Sequence, residues 1–211
     1  MEPIVKTAFH SREEKLNIIK IVLVGDTKVG KSTLIEALTG KGVAERGYSA
    51  SLEIPVKIKG SKLPTVGRIY DLRSQRYFPY LHSLFYFGAK GAIIVFDVNN
   101  RDTFESITKW RDIIWGHSGN IPLLICGNKS DLRQPREDLI TIEEINQLIK
   151  DLSENKKYPV SFIEISALKY LVAYSFNITE TEDSDIYPTV SAFRKPFIDW
   201  LIQIVKKRKV S

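Results

Sequence analysis

Residues 18–38 read Ile-Ile-Lys-Ile-Val-Leu-Val-Gly-Asp-Thr-Lys-Val-Gly-Lys-Ser-Thr-Leu-Ile-Glu-Ala-Leu. An apolar strand, Ile18–Val24, runs straight into G-x-x-x-x-G-K-S, and a helical pattern opens at Thr33. That succession is the context in which this octapeptide binds phosphate. Gly25 and Gly30 let the backbone curl close to a ligand. Consecutive N–H groups of Gly25, Asp26, Thr27, Lys28, Val29, Gly30 and Lys31 then meet the positive end of the following helix, with Ser32 and Thr33 in its first turn. Lys31 can neutralise β- and γ-phosphate oxygens, and the Ser32 hydroxyl can ligate Mg²⁺. The ligand class is therefore a nucleotide with at least two phosphates.

The rest of the chain supplies a fold for this loop. With 211 residues and 43% apolar composition, there is material for one domain with a substantial core. Strands and helices alternate, which predicts an α/β domain with a mostly parallel sheet and helices on both faces. The strand-like stretches Ile54–Lys59 and Thr65–Tyr70, joined by Gly60–Pro64, predict one antiparallel pair at the edge. Ala92–Asp97, Ile121–Cys126 and Val160–Ile165 are further strands. Helices are expected from about Pro79, over Asp102–Trp115 with Asn100 or Asp102 at its cap, and from a Thr141–Glu144 capping box to about Leu152. A last helix carries Phe193, Phe197, Trp200, Leu201 and Ile204 on one face, a stripe read as core. The expected division is an N-terminal extension (1–15), a domain (16–205) with a long connection at about 170–189, and a basic tail (206–211).

Bulk properties set limits on function. The net charge of +6 is spread along the chain and does not form a nucleic-acid-binding stripe. The single cysteine, Cys126, lies in an apolar run and reads as a buried thiol; no internal disulfide can form. No apolar run reaches the length of a membrane span, and no signal-peptide core is found, so the cytoplasm is the expected compartment. The tail Lys206-Lys207-Arg208-Lys209, with no cysteine for prenylation beside it, predicts at most weak, peripheral attraction to an anionic membrane.

A second motif selects the base. Asn128-Lys129-Ser130-Asp131 follows a strand about one hundred residues after the phosphate loop. The Asp131 carboxylate can accept from both N1–H and the 2-amino group of guanine. Adenine lacks that donor pair and would leave the charge desolvated, a loss of about 1–3 kcal/mol or more. Asn128 would tie this loop to the phosphate loop, and the Lys129 stem would cover the base. Backbone amides of Ser166, Ala167 and Leu168, after the sixth strand, could meet the guanine O6.

With G-D-T-K-V-G-K-S, N-K-S-D and I-S-A-L-K in this order, the chain resembles a Ras-superfamily small GTPase over about residues 16–205. Thr27 in the loop, and Phe96–Ser106 followed by Trp110, look most like the Rab-type branch. The resemblance implies a P-loop NTPase fold with a six-stranded sheet and one antiparallel edge strand, GTP and GDP with Mg²⁺ as ligands, and two switch segments. Through these segments effector, exchange-factor and GTPase-activating proteins would bind. It places Tyr48 and Ser51 in switch I, with Ser51 standing for the usual threonine on Mg²⁺ and the γ-phosphate. The aromatic that the family places beside guanine has no counterpart; Val43 or Ala44 falls there.

Switch II reads Asp71-Leu72-Arg73-Ser74-Gln75 where the family has D-x-x-G-Q. Asp71 would hold Mg²⁺ through water; Gln75 would act in catalysis by orienting the attacking water, and Lys31 by neutralising the β- and γ-phosphate oxygens. Ser74 keeps an amide for the γ-phosphate but has less backbone freedom than glycine. Arg73 could supply charge in cis, worth about 10³–10⁵ in rate when well placed, or point to solvent and leave a hindered loop. The second reading is preferred and predicts slow unaided hydrolysis. A guanine-nucleotide scaffold with little hydrolysis is the alternative, and a phosphotransferase for another substrate a distant third.

Overall fold

The computed structural model describes residues 17–39, 51–56, 64–71, 82–134, 139–154, 158, 160–175 and 190–208; at 39 and within 51–56, 82–83, 173–175, 190–192 and 207–208 only the backbone is described. Strands β1 (Asn17–Val24), β2 (Ser51–Val56), β3 (Thr65–Asp71), β4 (Gly91–Asp97), β5 (Leu123–Asn128) and β6 (Val160–Glu164) form one six-stranded sheet in the order β2-β3-β1-β4-β5-β6. β2 pairs antiparallel with β3 at the edge; the pairs β3–β1, β1–β4, β4–β5 and β5–β6 are parallel. The expected sheet, with its single antiparallel edge, is the one found.

Alternation along β1 explains the two-sided core. Ile19, Ile21 and Leu23 face helices α1 (Lys31–Thr39), α6 (Ala167–Ser175) and α7 (Val190–Arg208). Val22 and Val24 face the other layer, which is built from α2 (His82–Tyr86), α3 (Arg101–Glu105), α4 (Ile107–Ser118) and α5 (Ile142–Ser153). Successive strand residues point to opposite faces, so the apolar run Ile21–Val24 serves both layers. The α7 stripe is core as expected, with Phe193, Phe197, Trp200, Leu201 and Ile204 all buried. It comes close because β3 and β4 offer glycines: a Cβ on Gly91 would lie 2.7 Å from Ile204 Cδ1 and 2.9 Å from the Trp200 ring. Cys126 is fully buried, and burial pushes its thiol pKa up.

Three expectations on local structure need correction. The helix over Asp102–Trp115 is two helices, and their span runs longer at both ends. Asn100 is the cap, accepting from the Asp102 amide; the two helices meet at Ser106, whose amide and hydroxyl both donate to the Asp102 carbonyl, at 3.0 and 2.9 Å. The connection expected from about residue 170 begins later, because α6 continues to Ser175. Tyr170 is buried there and stacks on Phe193 at 4.2 Å, which gives that helix an apolar face to bury. Lys206–Arg208 of the expected tail extend α7 as helix. Residues 1–16, 57–63, 72–81 and 209–211 lie outside the described residues, and with them the N-terminal extension and the hairpin turn.

The expected capping box at α5 is present: the Thr141 side chain accepts from the Glu144 amide, and Glu144 accepts from the Thr141 amide. Glu144 also pairs with Arg101 of α3 at 2.9 Å. The Arg101 hydrogen bond first, and the Thr141 amide second, hold its carboxyl at about 2, below the ordinary 4.5. A lowered carboxyl pKa stabilises the fold above its unfolded value and loses that contribution as pH falls through the folded one. The thermal advantage of wild type over Arg101→Met is therefore expected to be full at neutral pH and to shrink between about pH 4.5 and 2. Thermal unfolding at several pH values measures it. In urea, Gly91→Ala is expected to destabilise by about 1–3 kcal/mol through overpacking against α7.

Candidate functional site

The parallel strands end together. Register pairs Leu23 with Asp71, Val24 with Ile94, and Asp97 with Asn128. The described segments that follow Val24, Asp97 and Asn128 gather with Asp71 at the carboxyl edge of the sheet, where α/β sheets bind ligands.

The phosphate loop leaves β1 at Gly25, whose φ is +139°. A Cβ there would lie 2.1 Å from the Val95 carbonyl oxygen, so only glycine lets the chain turn across β4. Lys28 has φ +67°, and Gly30 has φ +93°. Helix α1 then starts at Lys31, with Val29 and Leu34 buried beneath it. The Lys31 ammonium donates to the Gly25 carbonyl at 2.7 Å and the Asp26 carbonyl at 2.5 Å. Burial lowers its pKa from the lysine value, opposed by the negative charges of Asp71 and then Asp26. Asp71, at the end of β3, is 5% exposed.

Asn128 joins this loop to the second motif. Its side chain is 3% exposed. The amide nitrogen donates to the Val29 carbonyl at 2.9 Å, and the carbonyl oxygen accepts from the Ala167 amide at 3.1 Å. One side chain therefore fastens the phosphate loop, the end of β5 and the start of α6. Its room depends on Gly30: a Cβ there would lie 2.2 Å from Asn128 Nδ2. The Ala167 amide, expected at a guanine O6, serves this tie.

Lys129 adopts φ +65°, and a single 3₁₀ turn, Ser130–Leu132, presents Asp131. Among the described residues, Lys28 and Lys129 are the non-glycine residues with positive φ, one in each loop. Such conformations cost about 1–3 kcal/mol each and concentrate at working sites. The Ser166 hydroxyl donates to Asp131 Oδ1 and orients its carboxylate. The Lys129 ammonium, expected only as the end of a covering stem, is anchored on Asp97 Oδ2 at 2.6 Å. Asn99 reinforces this link, donating through its side chain to the Lys129 carbonyl at 3.0 Å.

Sequence reasoning missed Asp97 and Asn99 as members of the site, and it missed that Trp110 donates to the Asp26 carboxylate at 3.0 Å. The signal for the first two was their place at and just beyond the end of an apolar strand. Ser51 opens β2 opposite Tyr70, with only its backbone described. Tyr48, Val43, Ala44, Arg73, Ser74 and Gln75 lie outside the described residues.

Residues 20–180 match the family model described as the Ras family. Similar proteins include Ras-related protein Rab-11A of Dictyostelium discoideum, 33% identical over 168 residues that make up 77% of this chain and 73% of that protein. Ras-related protein RABA2a of Arabidopsis thaliana is 33% identical, over 85% of this chain and 79% of its own. Ras-related protein Rab-11C of Dictyostelium discoideum is 30% identical, over 90% and 84% respectively.

If Asn128 is the fastener, Asn128→Ala strands the Val29 carbonyl and the Ala167 amide in a dry site. The expected loss is about 2 kcal/mol or more of unfolding free energy, read from urea denaturation. Gly30→Ala is expected to cost a similar amount by expelling the same side chain.

Proposed function

We propose, from the premise that this chain belongs to the Ras family and is a Rab-type small GTPase, that it is a molecular switch binding GTP and GDP with Mg²⁺ and hydrolysing GTP slowly unaided. The observation that carries the reading is the Asn128 tie, which sets a lysine-bearing phosphate loop and an aspartate-bearing base loop at one sheet edge.

In this reading the amides of residues 25–33 and the Lys31 ammonium take the phosphates. Asp131, oriented by Ser166, accepts from the guanine N1–H and 2-amino group. Lys129 covers the base with its head held on Asp97, and the Ser166–Leu168 turn faces the guanine O6 through amides that the Asn128 tie leaves. Among the described residues no three or more His, Cys, Asp or Glu side chains cluster to enclose a metal. That suits Mg²⁺, which takes one or two protein oxygens and otherwise waters and phosphates. Ser32, Ser51 and the buried Asp71 would supply such oxygens. The ion would neutralise charge between the β- and γ-phosphates.

Gln75 would orient the attacking water, and Ser51 and Ser74 would meet the γ-phosphate and let go once it has left. Arg73 and Ser74 in place of small residues support slow unaided turnover. Effector, exchange-factor and GTPase-activating proteins would read the two switches. Among the described residues no helix is long and apolar enough to cross a membrane. The basic end of α7 would give weak contact with an anionic surface from the cytoplasmic side.

Asp131→Ala is expected to lower the preference for GDP over ADP by tenfold or more in competition binding. Single-turnover GTP cleavage is expected to be slower in Gln75→Leu than in wild type. Equal rates would remove Gln75 from catalysis and favour a scaffold over a switch.

A further inference from the structure

We infer that Trp110 of α4 is a positioning residue for the phosphate loop, holding the Asp26 carboxylate aside so that Lys31 remains available to phosphate. The inference rests on the proposed nucleotide site. Its starting point is a conflict of charge. Asp26 is the second residue of a loop that receives anionic phosphates, and its negative charge acts on Lys31, the loop's own cation. The Lys31 ammonium lies on the Gly25 and Asp26 carbonyls at 2.7 and 2.5 Å, within the same turn of chain. A carboxylate at liberty there would pair with that ammonium and repel a phosphate.

The indole N–H of Trp110 resolves the conflict from the side. It donates to Asp26 Oδ1 at 3.0 Å, across 84 residues of sequence. The donor is rigidly placed. Three and four residues to either side of it, Ile107 and Ile114 are fully buried beneath α4. The helix is clamped at its far end as well: the Ser118 hydroxyl donates to the Tyr86 carbonyl at 2.7 Å, and the His117 ring stacks on Tyr86 at 5.5 Å. A neutral N–H donor satisfies the carboxylate without adding a mobile cation that would itself compete for phosphate. An indole also carries one donor and no acceptor, so it cannot take a hydrogen bond from Lys31.

The test measures GDP release from wild type, Trp110→Phe, Asp26→Ala and the double variant, with thermal unfolding of each. Phenylalanine keeps the aromatic packing and removes the donor. Trp110→Phe is expected to release GDP about tenfold faster. The double variant is expected to release it no faster than Asp26→Ala alone, because the carboxylate to be held is gone. A Trp110→Phe effect of equal size in both backgrounds would mean a packing role only and overturn the inference, as would unchanged release in Trp110→Phe. Wild type that fails to retain GDP at all would overturn the nucleotide reading itself, a result distinct from these.

Discussion

The carboxamide of Asn128 is the smallest part on which the site's geometry turns. Two hydrogen bonds, to the Val29 carbonyl and from the Ala167 amide, bring loops far apart in sequence into one register. The bonds form in a dry place, where an amide left without partners is costly, so the three segments gain by closing together. The arrangement makes a demand on its neighbour: position 30 must lack a side chain, since the Asn128 nitrogen occupies the place of its Cβ. The last glycine of the phosphate motif thus answers two needs, a backbone turn with φ +93° and an open face toward β5.

Around that tie, charge is managed by pairing each ionic group with a group that fixes its direction. Lys31 rests on the Gly25 and Asp26 carbonyls and feels the negative charges of Asp71 and Asp26. Lys129 is drawn to Asp97, which also accepts from the Asn99 amide at 2.9 Å. Asp131 is turned by the Ser166 hydroxyl, and Asp26 by the Trp110 indole. Preset groups give up less freedom when a ligand arrives. Lys20 does similar work under α2: its ammonium lies over the Tyr70 and Phe85 rings and donates to the Phe87 carbonyl at 2.8 Å. The chain after α2 is therefore fastened to β1, the strand from which the phosphate loop departs.

The sheet was legible in the sequence because buried parallel strands advertise themselves as apolar runs and because the antiparallel edge pair had a short link. The Thr141–Glu144 box was legible because its chemistry is local, as was the Asn128 tie once N-K-S-D was placed after a strand. The boundary at Ser106 was not, since the apolar spacing continues unbroken across it. Helix α6 escaped notice because its reason to form is the distant Phe193 ring. Asp97 was read as a strand end, and Trp110 as part of the Rab-like segment, without their partners. Their partners lie 32 and 84 residues away, and no spacing rule reaches that far.

The central claim is that the Asn128 tie makes a phosphate grip and a guanine grip act as a single site. Equilibrium titration of the intact chain with GDP and with ADP, magnesium present, tests it most directly. The account predicts that GDP binds more tightly by at least about tenfold, the least that an unpaired, desolvated Asp131 would exact from the adenine ring. Equal affinity for the two nucleotides would contradict it.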